Sequence, residues 1–142
     1  MASQSKLDEA YLNICQEWSK LSHARRKQVG CVIVKDGAII SDGYNGTPKG
    51  FDNNCEILYN GKLKTKEEVL HAESNAITKL AKSTQSSLGA TMYITISPCL
   101  DCAKLIIQSG IERVIYKNFY RSDEGIKLLK QAKIEVKQYE YK

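Results

Sequence analysis

The segment HAESNAITKLAKSTQSSLGATMYITISPCLDCAKLIIQSGIERVIY, residues 71–116, sets the architecture of the chain. Its hydrophobic pattern predicts a helix over residues 71–82 and a strand over residues 91–96. A second helix is predicted over residues 98–109, with Pro98 at its permissive first position, and a second strand over residues 112–116. Alternating helices and strands predict parallel strands with helices packed on their faces.

The flanking segments extend this pattern in both directions. Apolar residues from Leu7 to Leu21 recur every three or four positions and predict an amphipathic first helix. Residues 28–35, QVGCVIVK, predict a strand buried on both faces, and Asp36-Gly37 predicts a hairpin turn into a strand over residues 38–44. A helix over residues 122–132 and an edge strand over residues 134–138 complete the pattern.

The segment between the first hairpin and residue 71 is harder to interpret. Residues 45–63 are rich in Gly, Asn and Pro, and they predict a long loop of the kind that often carries function. Thr65 and Glu68 have the spacing of a capping box, which predicts that a helical turn begins at this point.

Composition limits the class of protein. The 142 residues fit one domain, 1–142, with 42% hydrophobic residues and no apolar run long enough to span a membrane. The polar, helical start does not resemble a secretory signal, and five cysteines, an odd number, predict free thiols in the cytoplasm. The net charge of +5 favours anionic ligands or only aids solubility. Because the lysines are scattered, we expect neither a nucleic-acid nor a membrane partner.

Three residues are candidate metal ligands: His71, Cys99 and Cys102. Zinc prefers thiolate and imidazole ligands, and two cysteines three residues apart in the first turn of a helix project to one face. The helix dipole at that end favours thiolates. Three protein ligands leave a fourth position open, which is typical of a catalytic zinc site. A zinc site of this kind requires the three side chains to converge within reach of one ion.

Glu73 is the candidate catalytic residue. It lies two positions after His71, and in the first turn of a helix beside the metal both side chains can face the same water molecule. Glu73 could then accept a proton from water and deliver it to a leaving group. The HAE and PCxxC pattern is the known signature of zinc nucleobase deaminases.

Other interpretations of the cysteine pair remain open. A CxxC pair alone is also found in redox proteins and in structural zinc sites. A structural site would require a fourth ligand, for which His23 and Cys55 are the candidates. Cys15 and Cys31 lie on the predicted inward faces of a helix and a strand, so we expect both to be buried.

The sequence resembles the deoxycytidylate deaminase family of the cytidine deaminase superfamily over residues 28–136. The motifs that carry the resemblance are VGCVIVKDG, GYNGTPKGF, HAESNAI, SPCLDCAKLIIQSGIERVIY and the YRSD at residues 120–123. The resemblance implies a three-layer α/β/α sandwich with a mixed five-stranded sheet, and a homo-oligomer that is commonly a hexamer. It also implies a Zn²⁺ held by the three ligands above, with Glu73 moving protons. Some viral relatives carry a second, structural zinc between GYNG and HAE, but here that loop offers Cys55 and no histidine other than His71, so we predict a single zinc.

The resemblance further implies a set of substrate contacts. Asn45 would contact the sugar, Tyr120 the base, and Arg26 and Arg121 the 5′-phosphate, with Arg25 behind them. The backbone of Ala72 and of Ser97 would contact the pyrimidine edge. Simpler roles remain open: Asn45 as a turn residue, Tyr120 as a packing residue, and residues 25–27 as a solvated loop.

Members of this family are commonly regulated by nucleoside triphosphates. The resemblance implies an effector site at Gly43, Tyr44, Asn45 and Gly46, with deoxycytidine triphosphate as activator, thymidine triphosphate as inhibitor, and Mg²⁺ bound with the nucleotide. The implied reaction converts deoxycytidine monophosphate (dCMP) to deoxyuridine monophosphate (dUMP), which supplies thymidylate synthesis.

Two other classes of function are compatible with parts of the sequence. One is a different zinc deaminase, acting on cytidine, cytosine, a polynucleotide or an adenosine of tRNA. The other is a non-catalytic, zinc-stabilised protein that binds nucleotides or takes part in DNA uptake. The intact Glu73 disfavours the second class, because a structural zinc needs no proton shuttle.

Overall fold

The computed structural model describes residues 2–141 and places four helices and seven strands among them. The helices are α1 (Gln4–Ser19), α2 (Ala72–Leu80), α3 (Leu100–Gln108) and α4 (Glu124–Gln131). The strands are β1 (Gly30–Lys35), β2 (Ala38–Tyr44), β3 (Glu56–Tyr59), β4 (Lys62–Thr65), β5 (Thr91–Ile96), β6 (Arg113–Asn118) and β7 (Glu135–Gln138).

Five of the strands form one mixed sheet in the order β2-β1-β5-β6-β7. β1 pairs antiparallel with both β2 and β5, whereas β5, β6 and β7 are parallel. Helices α3 and α4 make the connections between the parallel strands, as a parallel pair requires. The predicted mixed five-stranded sheet is therefore confirmed.

Helices cover both faces of this sheet, so the predicted three-layer sandwich is also confirmed. Val32 and Val34 of β1 pack towards α1, together with Leu12 and Cys15. The alternate residues of β1, including Cys31, pack with side chains of α2, α3 and α4 on the opposite face. β1 is buried along almost its whole length, which explains its uninterrupted apolar sequence.

Most predicted elements exist, with small shifts at their ends. β2 and β5 have the predicted bounds. The prediction that Pro98 occupies the first position of α3 is wrong, because Cys99 has extended backbone angles and forms the N-cap of a helix that begins at Leu100. His71 likewise caps α2 rather than lying within it. Both metal-ligand candidates at these caps therefore sit at helix N-termini.

The predicted loop over residues 45–63 is wrong in its second half. β3 and β4 form an antiparallel hairpin that makes a separate two-stranded sheet. Its turn is Asn60-Gly61, with φ of 51° and 76°, and this pair of positive angles suits a type I′ turn. The predicted Asp36-Gly37 turn between β1 and β2 has the same form, with φ of 50° and 76°.

The helical turn predicted to begin at Thr65 is also wrong. Thr65 is the last residue of β4 and pairs across the hairpin with Glu56, so its backbone is committed to the sheet. Its hydroxyl accepts a hydrogen bond from Arg26 and caps no helix. Residues 67 and 68 form only a turn before Leu70, which bridges to Gly46.

A polar network joins α1 to the sheet. Asp8 is 2% exposed and accepts two hydrogen bonds from the Arg113 guanidinium, at 2.9 and 2.8 Å, and one from the Tyr93 hydroxyl at 2.6 Å. Nearby, the Tyr139 hydroxyl lies 3.4 Å from Ser5 Oγ, so the start of α1 and the segment after β7 are neighbours. Within residues 2–141, the helices all fall short of the length and hydropathy that a bilayer crossing needs.

Candidate active site

The functional candidates meet at one edge of the five-stranded sheet. Because β1 runs antiparallel to β5, the start of β1 lies beside the end of β5, and the end of β2 lies at the same edge. The parallel strand β6 also ends there. Ligand sites of open α/β sheets commonly form outside the carboxyl ends of the parallel strands. A cavity of about 480 Å³ opens at this edge.

His71 and Cys99 line this cavity, and the buried Cys102 lies directly beside them. Their ligand atoms all lie within 4.8 Å of one another. His71 Nδ1 is 3.2 Å from Cys102 Sγ and 3.5 Å from Cys99 Sγ. His23 and Cys55, the candidates for a fourth ligand, do not belong to this group. The geometry therefore favours a three-ligand site over a four-ligand structural site.

The donor set and its spacing fit a zinc ion. Zinc bonds of about 2.0 Å to nitrogen and 2.3 Å to sulfur in tetrahedral geometry place neighbouring ligand atoms about 3.5–3.8 Å apart. The separation of 3.5 Å between His71 Nδ1 and Cys99 Sγ falls in this range, and the separation of 3.2 Å to Cys102 Sγ is slightly shorter. One imidazole and two thiol groups are also the ligand types that zinc prefers. His71, Cys99 and Cys102 are therefore the residues that would hold the ion.

The two cysteines differ in their affinity for protons. Hydrogen bonds from Cys102 and from His71 lower the pKa of Cys99 to about 4. The neighbouring Cys99 and burial raise the pKa of Cys102 above its ordinary value. The hydrogen bond with Cys99 also raises the pKa of His71. The cluster therefore retains protons that metal binding must release.

Glu73 lies in the first turn of α2 and lines the same cavity as His71 and Cys99. Its side chain is only 4% exposed. Burial raises the pKa of Glu73 to about 7. A carboxyl group that can take up and release a proton near neutral pH is suited to general acid–base chemistry.

The rim of the cavity is cationic and carries one aromatic ring. Lys27 Nζ lies 4.5 Å from the centre of the Tyr120 ring, and the Arg121 guanidinium carbon lies 5.0 Å from it. Both distances are within the range of cation–π contacts. Arg26 also lines the cavity, so three positive side chains border it, two of them against the Tyr120 ring.

Asn45 braces the loop that carries these cations, residues 22–29, which we name the cationic loop. Its side-chain oxygen accepts a hydrogen bond from Val29 N–H at 2.9 Å, and its Nδ2 donates to Lys27 C=O at 2.7 Å. Ser22 Oγ donates to the Asn45 carbonyl at 2.8 Å. The loop is thus held by specific polar contacts, which a merely solvated loop would not need.

Ala72 and Ser97 also line the cavity, as the resemblance implied. Ser97 Oγ accepts a hydrogen bond from Tyr120 N–H at 2.9 Å, which ties the aromatic residue to the end of β5. α4 approaches the metal ligands closely because Gly125 has no side chain. A Cβ added there would lie 2.2 Å from Pro98 C=O.

The GYNG segment, residues 43–46, is engaged with its neighbours. Gly43 lies beneath α2, where an added Cβ would be 2.5 Å from Ala72 C=O. Asn75 Nδ2 donates to Tyr44 C=O at 2.7 Å, and Gly46 N–H donates to Leu70 C=O at 3.1 Å. Of the four, Asn45 lines the cavity. This segment therefore supports the site through its backbone.

Sequence reasoning missed three residues of the site: Lys27, Glu56 and Thr65. All three line the cavity. Glu56 is 1% exposed, and its Oε2 accepts hydrogen bonds from the backbone N–H groups of Arg25 and Arg26. An available signal was Asn60-Gly61 between two short runs, which predicts a hairpin and would have placed Glu56 opposite Thr65.

The fold and site together define a zinc-site α/β protein of the nucleoside deaminase type, and a family model matches it. The model describes the "cytidine and deoxycytidylate deaminase zinc-binding region" and covers residues 5–118. The chain therefore belongs to the cytidine and deoxycytidylate deaminase family.

Individual relatives point to one branch of that family. The chain is 34% identical to deoxycytidylate deaminase of Saccharomyces cerevisiae, with 94% of this chain aligned but only 45% of the yeast enzyme's length. It is 35% identical to the deoxycytidylate deaminase of Enterobacteria phage T4, covering 96% of this chain and 89% of the phage protein. The crystal structure of dCMP deaminase from cyanophage S-TIM5, in complex with dCMP and dUMP, superposes with a TM-score of 0.90. That match has 42% identity and covers 96% of this chain and 99% of the other.

Proposed function

We propose that this protein hydrolyses dCMP to dUMP and ammonia. The observation that carries the proposal is the convergence of His71, Cys99 and Cys102 beside the buried Glu73, at a cavity with a cationic rim. The floor suits hydrolytic removal of an amino group, and the rim suits a phosphorylated substrate. The S-TIM5 enzyme, whose complex contains dCMP and dUMP, supports the choice of nucleotide.

In the proposed reaction, Glu73 manages the protons. His71, Cys99 and Cys102 would hold a zinc ion, which would supply a Lewis acid that makes water a stronger nucleophile at neutral pH. Glu73 takes a proton from the attacking water and delivers it to ring N3. Glu73 then takes the proton of the new C4 hydroxyl and passes it to the departing amino group, so that C4 becomes a carbonyl as the C4–N bond breaks. One water is consumed and one ammonia is released.

The remaining cavity residues would orient the substrate. Arg26, Lys27 and Arg121 are the cations available to the 5′-phosphate, and guanidinium groups bind phosphate oxygens in pairs. The Tyr120 ring would pack against the base. The backbone polar groups of Ala72 and Ser97 would form hydrogen bonds with the edge of the pyrimidine. Asn45 is proposed to reach the sugar with the hydrogen-bonding capacity that the cationic loop leaves free.

Regulation, assembly and location are further parts of the proposal. We expect a cytoplasmic homohexamer that supplies dUMP for thymidylate synthesis. Deoxycytidine triphosphate would activate it and thymidine triphosphate inhibit it, with Mg²⁺, at residues 43–46. The resemblance of GYNG to the family's effector segment supports this. Sedimentation analysis and turnover assays with each triphosphate would test it, and unchanged kinetics would contradict it.

A substrate panel tests the assigned reaction. We expect ammonia release from dCMP with a kcat/KM at least about tenfold above that for deoxycytidine, because a phosphate bound by arginine contributes more than 1.4 kcal/mol. Metal analysis should find one zinc per chain. Equal or greater kcat/KM on deoxycytidine would contradict the phosphate preference, and turnover of a tRNA adenosine alone would assign the protein to another branch of the family.

A further inference from the structure

We propose that Glu56 is a positioning residue that fixes the cationic loop, so that Arg26 is held ready for the anionic group of the substrate. This inference rests on the proposed function and identifies the contact that sets its selectivity for a phosphorylated nucleotide. Glu56 itself would touch Arg25 and Arg26 rather than the reacting atoms.

The burial of Glu56 is unusual for its strand. Ile57, Leu58 and Tyr59, which follow it in β3, are 47%, 76% and 60% exposed, while Glu56 is 1% exposed. Burying a carboxylate is costly unless specific partners compensate for the lost water. A strand that exposes its apolar residues and buries its one acidic residue is not explained by core packing.

The partners of Glu56 are the backbone groups of the cationic loop. Its Oε2 accepts hydrogen bonds from Arg25 N–H at 2.9 Å and Arg26 N–H at 3.0 Å. Its Oε1 lies 3.5 Å from Arg25 Nε, too far for a normal hydrogen bond. Burial raises the pKa of Glu56, but the two N–H groups and the positive Arg25 side chain together outweigh it and hold the pKa below its ordinary value. The buried group is therefore an anion at neutral pH.

The same hairpin also holds the other end of Arg26. Arg26 Nη1 donates a hydrogen bond to Thr65 Oγ1 at 2.9 Å. Glu56 and Thr65 are directly paired across β3 and β4. One cross-strand pair therefore contacts both the backbone and the guanidinium of Arg26. A cation fixed in this way loses little conformational entropy when it binds an anion.

Kinetics on two substrates test this role. Glu56→Gln keeps the shape and one acceptor oxygen but removes the charge. We expect KM for dCMP to rise about tenfold, because a neutral amide oxygen holds the two loop N–H groups less strongly than a carboxylate oxygen does. We expect kcat to stay within about twofold, because the metal ligands and Glu73 are untouched. The ratio of kcat/KM for dCMP to that for deoxycytidine should fall about tenfold.

Two further variants complete the test. Glu67→Gln removes the same charge from an exposed residue of the segment that follows β4, and it should leave the ratio unchanged. Thr65→Val removes the contact with the Arg26 guanidinium, and it should lower the ratio in the same direction. It also serves if Glu56→Gln does not fold. If the wild type prefers dCMP and both Glu56→Gln and Thr65→Val retain that preference, the inference about Glu56 is overturned while the proposed function stands. A wild-type protein with no preference would instead contradict the proposed function.

Discussion

If the proposed reaction holds, replacement of Glu73 should separate metal binding from catalysis. Glu73→Gln has nearly the same volume and leaves His71, Cys99 and Cys102 in place, so we expect the zinc content to remain that of the wild type. Turnover of dCMP should fall by about 10²–10⁴-fold, because the amide cannot carry the protons. Metal analysis and an ammonia-release assay on the same sample provide both measurements.

Glu68→Gln is the matched control for this prediction. Glu68 is exposed and lies outside the cavity lining, so its loss should change neither zinc content nor turnover. Turnover of Glu73→Gln within tenfold of the wild type would contradict the assigned role.

Sequence reasoning identified the centre of the site more completely than its rim. His71, Glu73, Cys99 and Cys102 lie in two short motifs at helix N-termini, where local spacing nearly fixes the geometry. Glu56 and Thr65 reach the cationic loop, which also carries Lys27, only because the β3–β4 hairpin packs against that loop. Such a contact depends on tertiary packing, which no local spacing reports.

At the scale of the elements, the long, regularly patterned segments were predicted best. β2, β5 and α2 show strong hydrophobic patterns, and the structure has them at or near the predicted bounds. β3 and β4 have only four residues each, and β3 exposes three of its four side chains, so the pair offers too short an alternation to reveal half-buried strands. The Asn60-Gly61 pair indicates a hairpin turn, but the Gly and Asn residues around it favoured the prediction of a continuous loop.

The close approach of α2 to β2 leads to a prediction about Gly43. Gly43→Ala places a Cβ where it would be 2.5 Å from Ala72 C=O and 2.8 Å from Ala76 N, so the helix must shift. We expect the free energy of unfolding to fall by about 1–3 kcal/mol, as for other overpacked sites. Urea denaturation measures this change.

Gly46→Ala, in the same segment, is the control for Gly43. No atom lies within 4 Å of an added Cβ at Gly46, so stability should stay the same or rise by up to about 1 kcal/mol. Equal stability of both variants would show that the helix yields without cost.

At the scale of the whole molecule, the Asp8–Arg113 network predicts acid sensitivity. Burial alone would raise the pKa of Asp8, but hydrogen bonds from Arg113, Tyr93 and Gln4 hold it below its ordinary value of 3.8. A carboxyl group with a lowered pKa in the folded state contributes stability that is present above its unfolded pKa. That contribution should be lost as the pH falls below about 4.

Asp8→Asn tests this contribution directly. At neutral pH the free energy of unfolding of the variant should be about 2–3 kcal/mol lower than that of the wild type. This loss is smaller than for a fully buried ion pair, because Arg113 is partly exposed and keeps its ion pair with Glu135. Its stability should also depend less on acid than that of the wild type. Glu17→Gln, which removes an exposed ion pair of the same helix, should change stability by less than about 1 kcal/mol. Parallel acid profiles for wild type and Asp8→Asn would contradict the assignment.

Removal of zinc should weaken the whole fold, since the ligands join the N-termini of α2 and α3. A ligand present at 1,000 times its Kd contributes about 4 kcal/mol, so chelation should lower Tm by roughly 10 °C. Calorimetry with and without a chelator measures the shift. The His71→Ala variant should show little response to chelation, and an unchanged Tm in metal-depleted wild type would contradict the prediction.

The contact of Tyr139 with Ser5 has a consequence for the order of the chain. Because the two ends of the described fold are neighbours, a short linker could join them and new ends could be opened elsewhere. Residues 83–86 are exposed and connect α2 to β5 at the sheet edge opposite the cavity. A circular permutant opened between Thr84 and Gln85 should therefore fold, bind zinc and retain turnover, because the new ends would lie away from the cavity and leave its contacts unchanged.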